Sequence, residues 1–88
     1  MSIRLIESQN KLREVLQEAM GVYIGQEPNK TDSWRDVPYW QLWKHFKHEV
    51  EEIERSDSVD RQYHNILDAI SLLAMLGARV KDGKYKKK

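Results

Sequence analysis

Residues 66–76 of this chain are apolar on almost every side of a helical wheel, yet they include the carboxylate of Asp68. A helix that is apolar all round has to be buried all round. Three helices cannot readily enclose one of their own members that fully, so we expect a second copy of the chain to cover part of it. A carboxylate in such surroundings is costly unless it has a partner. The run is also too short to span a bilayer.

The size of the chain favours association as well. Its 88 residues predict one domain, and a domain this small buries only about 60% of its unfolded surface, so its stability alone is marginal. The formal net charge is +1 and cysteine is absent, which excludes disulfides and thiolate metal sites and gives no strong attraction to polyanions. No signal-peptide pattern is visible. We therefore expect a cytoplasmic protein without a membrane span.

The spacing of the apolar residues predicts an all-α fold, because they recur at intervals of three and four positions in three segments. The expected architecture is a compact bundle of three main helices, completed by oligomerisation. It forms a single domain over residues 1–80, followed by a basic tail over residues 81–88. Residues 26–33 are polar and rich in turn formers, which predicts a loop between the first two helices.

The helix boundaries follow from the capping and turn residues. The first helix is predicted at about residues 8–23, with Ser8 as its N-cap. The second is predicted at about residues 38–55, because proline is favoured in the first turn of a helix. The third is predicted at about residues 59–80, after a short turn at residues 56–58 that offers capping side chains.

Two pairs of polar residues are placed to meet across the second and third helices. On a helical wheel, Glu49 and Glu52 lie where the apolar face of the second helix meets its neighbours. Asn65 and Asp68 have the same three-residue spacing on the third helix and should face those carboxylates. Converging carboxylates are stabilised by a hard divalent cation, and Mg²⁺ takes oxygen ligands in an octahedron. Such an ion would in turn attract phosphates.

This arrangement, Glu49-x-x-Glu52, then twelve residues, then Asn65-x-x-Asp68, resembles the signature of the all-α nucleoside triphosphate pyrophosphohydrolases, the MazG-like superfamily. That signature is Glu-x-x-Glu, a spacer of a dozen or more residues, and Glu-x-x-Asp. The resemblance implies that Glu49, Glu52 and Asp68 bind Mg²⁺, with Mn²⁺ as the alternative ion, and that Glu49 and Glu52 are catalytic. Asn65 stands where the family has glutamate, so it would offer a carbonyl ligand without a charge.

The same resemblance implies a reaction and an assembly. A (deoxy)nucleoside triphosphate would be hydrolysed at its α phosphorus to the monophosphate and pyrophosphate, by a homodimer or a homotetramer. Residues 32–35 also resemble a tryptophan-containing segment that precedes the second helix in some members. We expect Trp34 to seat the base by stacking, and Lys30 or Arg35 to contact the phosphates.

Each of these site residues also has an ordinary structural interpretation. Asp68 would then pair with Arg61 or Arg79, without any metal. Trp34 would belong to the core or to an oligomer interface, where aromatic side chains dominate by area. The two basic residues beside it would be solvated.

Two further functions compete with hydrolysis. One is a catalytically inactive helical module of the same fold, which binds a nucleotide, or a protein through Trp40 and Trp43. The other is nonspecific nucleic-acid binding by the lysine tail, which is less favoured because the rest of the chain has no basic face. His45, His48 and His64 are expected to face solvent or to support other ligands, not to form a transition-metal site.

Overall fold

The computed structural model describes residues 2–25 and 33–85 of the chain. Within these residues there are three α-helices and no strand: α1 (Ile3–Gly25), α2 (Tyr39–Arg55) and α3 (Val59–Lys81). A single 3₁₀ turn, Ser33–Arg35, precedes α2. The predicted all-α fold with three helices is therefore confirmed. Most of the predicted loop at residues 26–33 lies outside the described residues.

The first helix begins earlier than its capping residues predicted. It starts at Ile3, where the Oγ of Ser2 accepts a hydrogen bond of 3.1 Å from the amide of Leu5. The prediction of Ser8 as the N-cap was wrong, because Ser2 caps the helix a full turn and a half upstream. At its other end α1 runs as far as Gly25.

The boundaries of α2 and α3 agree with the prediction. Pro38 stands at the N-cap position of α2, and the Oγ of Ser58 accepts a hydrogen bond from the amide of Arg61 at the start of α3. Only residues 56–58 separate the two helices, so α2 and α3 form a helical hairpin. This hairpin is what brings residues of the two helices to one site.

A capping motif at the end of α3 depends on glycine. Gly83 has a φ of +74°, a left-handed conformation that costs other residues energy. Its amide donates to the carbonyl of Val80, and the amide of Lys84 donates to the carbonyl of Arg79. These two bonds form a Schellman motif, which turns the chain back across the end of the helix. The part of the predicted tail up to Tyr85 is thus attached to the fold, and residues 86–88 lie outside the described residues.

The core lies between the first half of α2 and the second half of α3. Its buried members are Tyr39, Leu42 and Leu76, of which Leu76 is only 2% exposed. Partly buried apolar side chains pack around them, from the 3₁₀ turn as well as from both helices: Trp34, Val37, Trp43, Phe46 and Leu72. The core therefore anchors the segment that carries Trp34 against the hairpin.

Arg79 is the one buried charged residue of the described chain, at 7% exposure. Its Nη1 donates to the carbonyls of Trp34 and Val37 at 3.0 and 2.7 Å, and its Nε donates to the carbonyl of Lys84 at 2.9 Å. The guanidinium also lies 6.0 Å from the centroid of the Tyr39 ring. One side chain of α3 thus holds both the segment before α2 and the segment after α3.

The first helix packs on α3 and leaves much of its apolar surface open. Ala19 is its one buried residue, and the carbonyl of Ala19 accepts a hydrogen bond from the Ser71 hydroxyl of α3. Tyr63 of α3 also donates to the carboxylate of Glu18. Leu73 of α3 remains 50% exposed, so a single chain does not bury the third helix on all sides. None of the described helices is long and apolar enough to cross a membrane.

Candidate metal and nucleotide site

The helical hairpin places the predicted site residues side by side. Glu49 and Glu52 lie on α2, and Asn65 and Asp68 lie on α3, where all four are partly buried. The turn at residues 56–58 lets the two helices run back along each other, so the end of α2 faces the beginning of α3. The i, i+3 spacing on each helix then directs both pairs toward the seam between them.

Glu49 shows the electrostatic signature of crowded carboxylates. Burial raises the pKa of Glu49 above its ordinary value, and the negative charges of Asp68 and Glu52 raise it further, while His48 and His64 oppose the effect. Charges shift a pKa in this way only when they lie close together. The three carboxylates singled out in the sequence therefore share one electrostatic environment.

Asp68 is only partly satisfied. Its Oδ2 lies 3.5 Å from the Nε2 of His64, whereas its Oδ1 is buried and finds no hydrogen-bond donor among the described residues. The predicted alternative, an ion pair with arginine, does not describe Arg79, whose guanidinium donates to main-chain carbonyls. A buried oxygen without a donor is uncommon in folded proteins and calls for a partner.

Two histidines support the carboxylates, each from its own helix. His48 lies 3.6 Å from Glu52, in the same i, i+4 relation that links His64 to Asp68. Both imidazoles are 63% exposed, which agrees with the prediction that they face solvent. The pairing itself was not predicted from the sequence, although side chains four residues apart on a helix are regular neighbours.

Asn65 faces α2 through its amide nitrogen. This group donates to the Oγ of Ser56 at 2.9 Å and, more weakly, to the carbonyl of Glu52 at 3.4 Å. The Ser56 hydroxyl in turn donates to the same carbonyl at 2.7 Å. Asn65 therefore helps to close the end of α2, a role that a glutamate, which has no donor when ionised, would not fill.

A cleft of about 420 Å³ adjoins the carboxylates, within the size range of small-molecule sites. Glu49 and Asp68 line one part of it. The remaining lining combines polar side chains with apolar ones from all three helices and the 3₁₀ turn, among them Trp34, Gln41, His45 and Leu72. His45, expected to face solvent or to support other ligands, is thus a cleft residue.

The three predicted substrate-binding residues have different positions. Trp34 is partly buried, its indole Nε1 donates to the hydroxyl of Tyr23 at 3.0 Å, and it lines the cleft. Arg35 is exposed at the end of the 3₁₀ turn. Lys30 lies outside the described residues. Trp34 therefore packs against the core and also lines the cleft. Its stacking on a base stays a prediction.

The donor set can be compared with the needs of a cation. No group of three His, Cys, Asp or Glu side chains in residues 2–25 and 33–85 has the geometry of a formed metal site. The neighbouring carboxylates nevertheless fit a hard divalent ion in chemistry, because they are oxygen donors, they repel one another, and one buried oxygen has no donor. Such an ion would relieve both the repulsion and the unsatisfied oxygen.

The raised pKa of Glu49 predicts a pH-dependent stability in the absence of metal. Because the folded carboxyl holds its proton more tightly, this group favours folding below its ordinary pKa of 4.5, and that contribution is lost as the pH rises through the higher folded pKa. Glu49→Gln removes the titration. The free energy of unfolding of Glu49→Gln, relative to the wild type, is therefore expected to increase as the pH rises from 4.5 through the folded pKa of Glu49.

Urea titrations with EDTA at several pH values measure this difference. Glu51→Gln, at an exposed position of the same helix, controls for the loss of one negative charge from α2. A difference between Glu49→Gln and the wild type that stays constant across the pH range contradicts the prediction.

Comparison of the chain with protein-family models, with curated proteins and with solved structures finds no match.

Proposed function

We propose that this chain is a Mg²⁺-dependent nucleotide pyrophosphohydrolase of the MazG-like type, which converts a (deoxy)nucleoside triphosphate to the monophosphate and pyrophosphate. The observation that carries the proposal is the unpaired, buried Oδ1 of Asp68 next to Glu49, whose pKa is raised by burial and by the neighbouring carboxylates. Fold stability alone does not account for this arrangement, because repelling carboxylates weaken the folded state. A site that receives a cation does account for it.

In this proposal Glu49, Glu52 and Asp68 hold the metal, and Asn65 assists from α3. When bound, Mg²⁺ or Mn²⁺ would neutralise phosphate charge and activate a water. The three carboxylates suit one divalent ion better than two, because Asn65 adds no negative charge. His48 and His64 would keep the Glu52 and Asp68 carboxylates in position, as hydrogen-bonding groups behind metal ligands commonly do.

The substrate would lie in the cleft, with its phosphates toward the carboxylates. Trp34 lines the cleft and offers an aromatic face for a base. Arg35, exposed beside it, and Lys30 would meet the phosphates, and the guanidinium is the better bidentate partner of the two. A hydrogen bond from Arg79 to the Trp34 carbonyl and one from the Trp34 indole to the Tyr23 hydroxyl hold this segment in place, which favours a preformed base site.

We further propose that the protein works in the cytoplasm, where nucleoside triphosphates are made and used, and as a homodimer or homotetramer. The support for an oligomer is the apolar surface that a single chain leaves open, which includes half-exposed Leu73 on α3 and most of the apolar residues of α1.

Pyrophosphate release from a panel of nucleoside and deoxynucleoside triphosphates tests the reaction. With Mg²⁺ present, we expect Glu52→Gln and Asp68→Asn each to lower the rate by roughly 100-fold or more, as is typical when a charge that stabilises the transition state is removed. Glu51→Gln and Glu54→Gln, at exposed positions of the same helix, serve as matched controls and should keep most of the activity. A wild type that releases no pyrophosphate from any nucleotide rejects the enzyme.

The second candidate function is a noncatalytic module that binds a nucleotide in the same cleft. Asn65 favours it, because the amide nitrogen is engaged with Ser56 and the end of α2 and the side chain brings no charge to the metal. Isothermal titration with Mg²⁺ and a nonhydrolysable triphosphate separates the candidates when combined with the activity assay. Binding without turnover supports the module, and no binding at millimolar Mg²⁺ rejects both functions.

A further inference from the structure

Helix α1 carries an apolar ridge on its open side. Leu12, Leu16, Met20 and Ile24 follow one another at four-residue intervals and are 66%, 58%, 56% and 57% exposed. Residues at this spacing form one of the rows by which helices interdigitate with their neighbours. Ala19, the buried residue that contacts α3, lies beside this row on the circumference of the helix. The apolar arc of α1 is therefore wider than α3 can cover.

A groove lies beside this ridge, between α1 and α3. It has a volume of about 360 Å³, and Leu16 and Met20 form one wall while Ile70, Ala74 and Ala78 of α3 contribute the other. No charged residue lines it. The α3 wall is shallow, because two of the residues that line it, Ala74 and Ala78, have small side chains. The groove is open to a further helix.

The surface of the single chain is large for its mass. The accessible surface is 7079 Å², whereas a compact monomer of 10.5 kDa is expected to expose about 5,400 Å². Half of the difference between these two areas equals the roughly 800 Å² that each partner buries in an interface of standard size. The chain as a whole therefore exposes enough surface to supply an interface of standard size.

We propose that this partner is a second copy of the chain, which packs its α1 ridge into the groove of the first while the first does the same in return. The ridge and the groove lie on the same face. A twofold axis can therefore place the ridge of each copy in the groove of the other. The proposal deepens the homo-oligomer of the proposed function by naming its interface, but it does not depend on metal binding or catalysis.

The charges of α1 favour a second copy over a lipid surface. Helices that lie on membranes carry an excess of lysine and arginine on their polar face. The basic residues of α1 are instead matched by an equal number of acidic ones: Arg4, Lys11 and Arg13 against Glu7, Glu14 and Glu18. This face therefore gains nothing from anionic headgroups.

The interface would also reach the cleft. Trp34, Tyr23, Ser71 and Met75 line both the groove and the cleft that adjoins the carboxylates. A second copy in the groove would therefore pack against side chains that shape the cleft. It would restrict their movement without contributing a ligand to the carboxylates.

Sedimentation equilibrium or light scattering after gel filtration tests the assembly without any nucleotide. We expect the wild type to have twice the 10.5 kDa mass of the chain. Leu16→Glu and Met20→Glu should each raise the dimer dissociation constant by roughly 100-fold, because they bury an unpaired charge in an apolar interface. Ile3→Glu is the matched control, since Ile3 is 76% exposed on the same helix but lies away from the ridge, and it should leave the dimer intact.

A second measurement covers the case in which a glutamate variant fails to fold. The chain has no cysteine, so Leu16→Cys and Ile3→Cys each introduce one thiol whose labelling by a maleimide reports exposure. In the dimer the thiol at position 16 should react at least about 10-fold more slowly than after dilution to the monomer, while the thiol at position 3 should react at one rate.

Three outcomes overturn the proposal. The first is a wild type that stays monomeric up to about 100 µM. The second is a dimer that neither Leu16→Glu nor Met20→Glu weakens and in which the thiol at position 16 labels freely. The third is a monomer whose α1 binds anionic vesicles, which would assign this face to a membrane. None of these results bears on pyrophosphate release, so failure here and failure of the proposed reaction are distinguishable.

Discussion

Replacing Arg79 with methionine is expected to lower the free energy of unfolding by about 3 kcal/mol. Each unsatisfied polar group in a partly buried setting costs about 1–3 kcal/mol, and the substitution leaves three carbonyls without their donor, those of Trp34, Val37 and Lys84. Methionine keeps most of the apolar stem, so the loss reports mainly on the hydrogen bonds. Urea denaturation followed by far-UV circular dichroism measures it.

Two further variants sharpen this test. Arg61→Met removes a guanidinium from an exposed position of the same helix, where substitutions usually change stability by no more than about 0.5 kcal/mol. Arg79→Lys keeps the charge but not the planar fork of donors, so its stability should lie between the wild type and Arg79→Met. A loss smaller than about 1 kcal/mol in Arg79→Met would mean that solvent or a neighbouring group satisfies these carbonyls.

Mg²⁺ is expected to stabilise the wild-type chain, and Asp68→Asn is expected to abolish that stabilisation. A ligand that binds only the folded state stabilises it by about 2.7 kcal/mol at a concentration of 100 times its dissociation constant. The carboxylates that raise the pKa of Glu49 would gain a positive partner, and the unpaired Oδ1 of Asp68 would gain a ligand bond. Thermal unfolding across a Mg²⁺ titration measures this effect, with no nucleotide present.

In EDTA, where no metal is bound, Asp68→Asn should not lower the stability of the chain. Without metal, Asp68→Asn removes the charge that contributes most, after burial, to the raised pKa of Glu49, so the variant should be as stable as the wild type or more stable. The lost contact with exposed His64 costs little, because exposed ion pairs contribute about 0–1 kcal/mol. Asp68 would then serve metal binding while it lowers the stability of the metal-free fold.

Glu51→Gln provides the matched control for the Mg²⁺ titration. It removes one carboxylate from an exposed position of α2, so it should keep most of the response to Mg²⁺. If Asp68→Asn and the wild type respond equally to Mg²⁺, the ion binds elsewhere or not at all, and the proposed metal site is rejected. If Asp68→Asn is strongly destabilised in EDTA, Asp68 has a structural role instead.

Local patterns in the sequence were sufficient to predict the helices and the positions of the acidic residues on them. Apolar spacing predicted three helices, and Pro38 and Ser58 marked two of the starts. The same periodicity put Glu49 and Asp68 on facing sides of a hairpin, where they share one electrostatic environment. Each of these features depends on residues within a few turns of one another, or on a connection of only three residues.

Contacts between distant parts of the chain were not predictable in this way. The carbonyls that Arg79 binds belong to residues 42 and 45 positions away, and Tyr23 reaches Trp34 across the segment between α1 and α2. Nothing in the sequence around Arg79 distinguishes it from a surface arginine at the end of a helix. The early start of α1 was missed for a smaller reason, since Ser2 and Ser8 are both acceptable caps.

The amino-acid sequence by itself determined the class of fold, the hairpin of α2 and α3, and which carboxylates lie at its seam, because helical periodicity and short connections act over a few residues. Only the tertiary structure decided that Arg79 ties the chain together, that Trp34 belongs to both core and cleft, and that α1 leaves a ridge uncovered. These depend on which segments pack against each other, and that choice is made by the burial and hydrogen bonding of the chain as a whole.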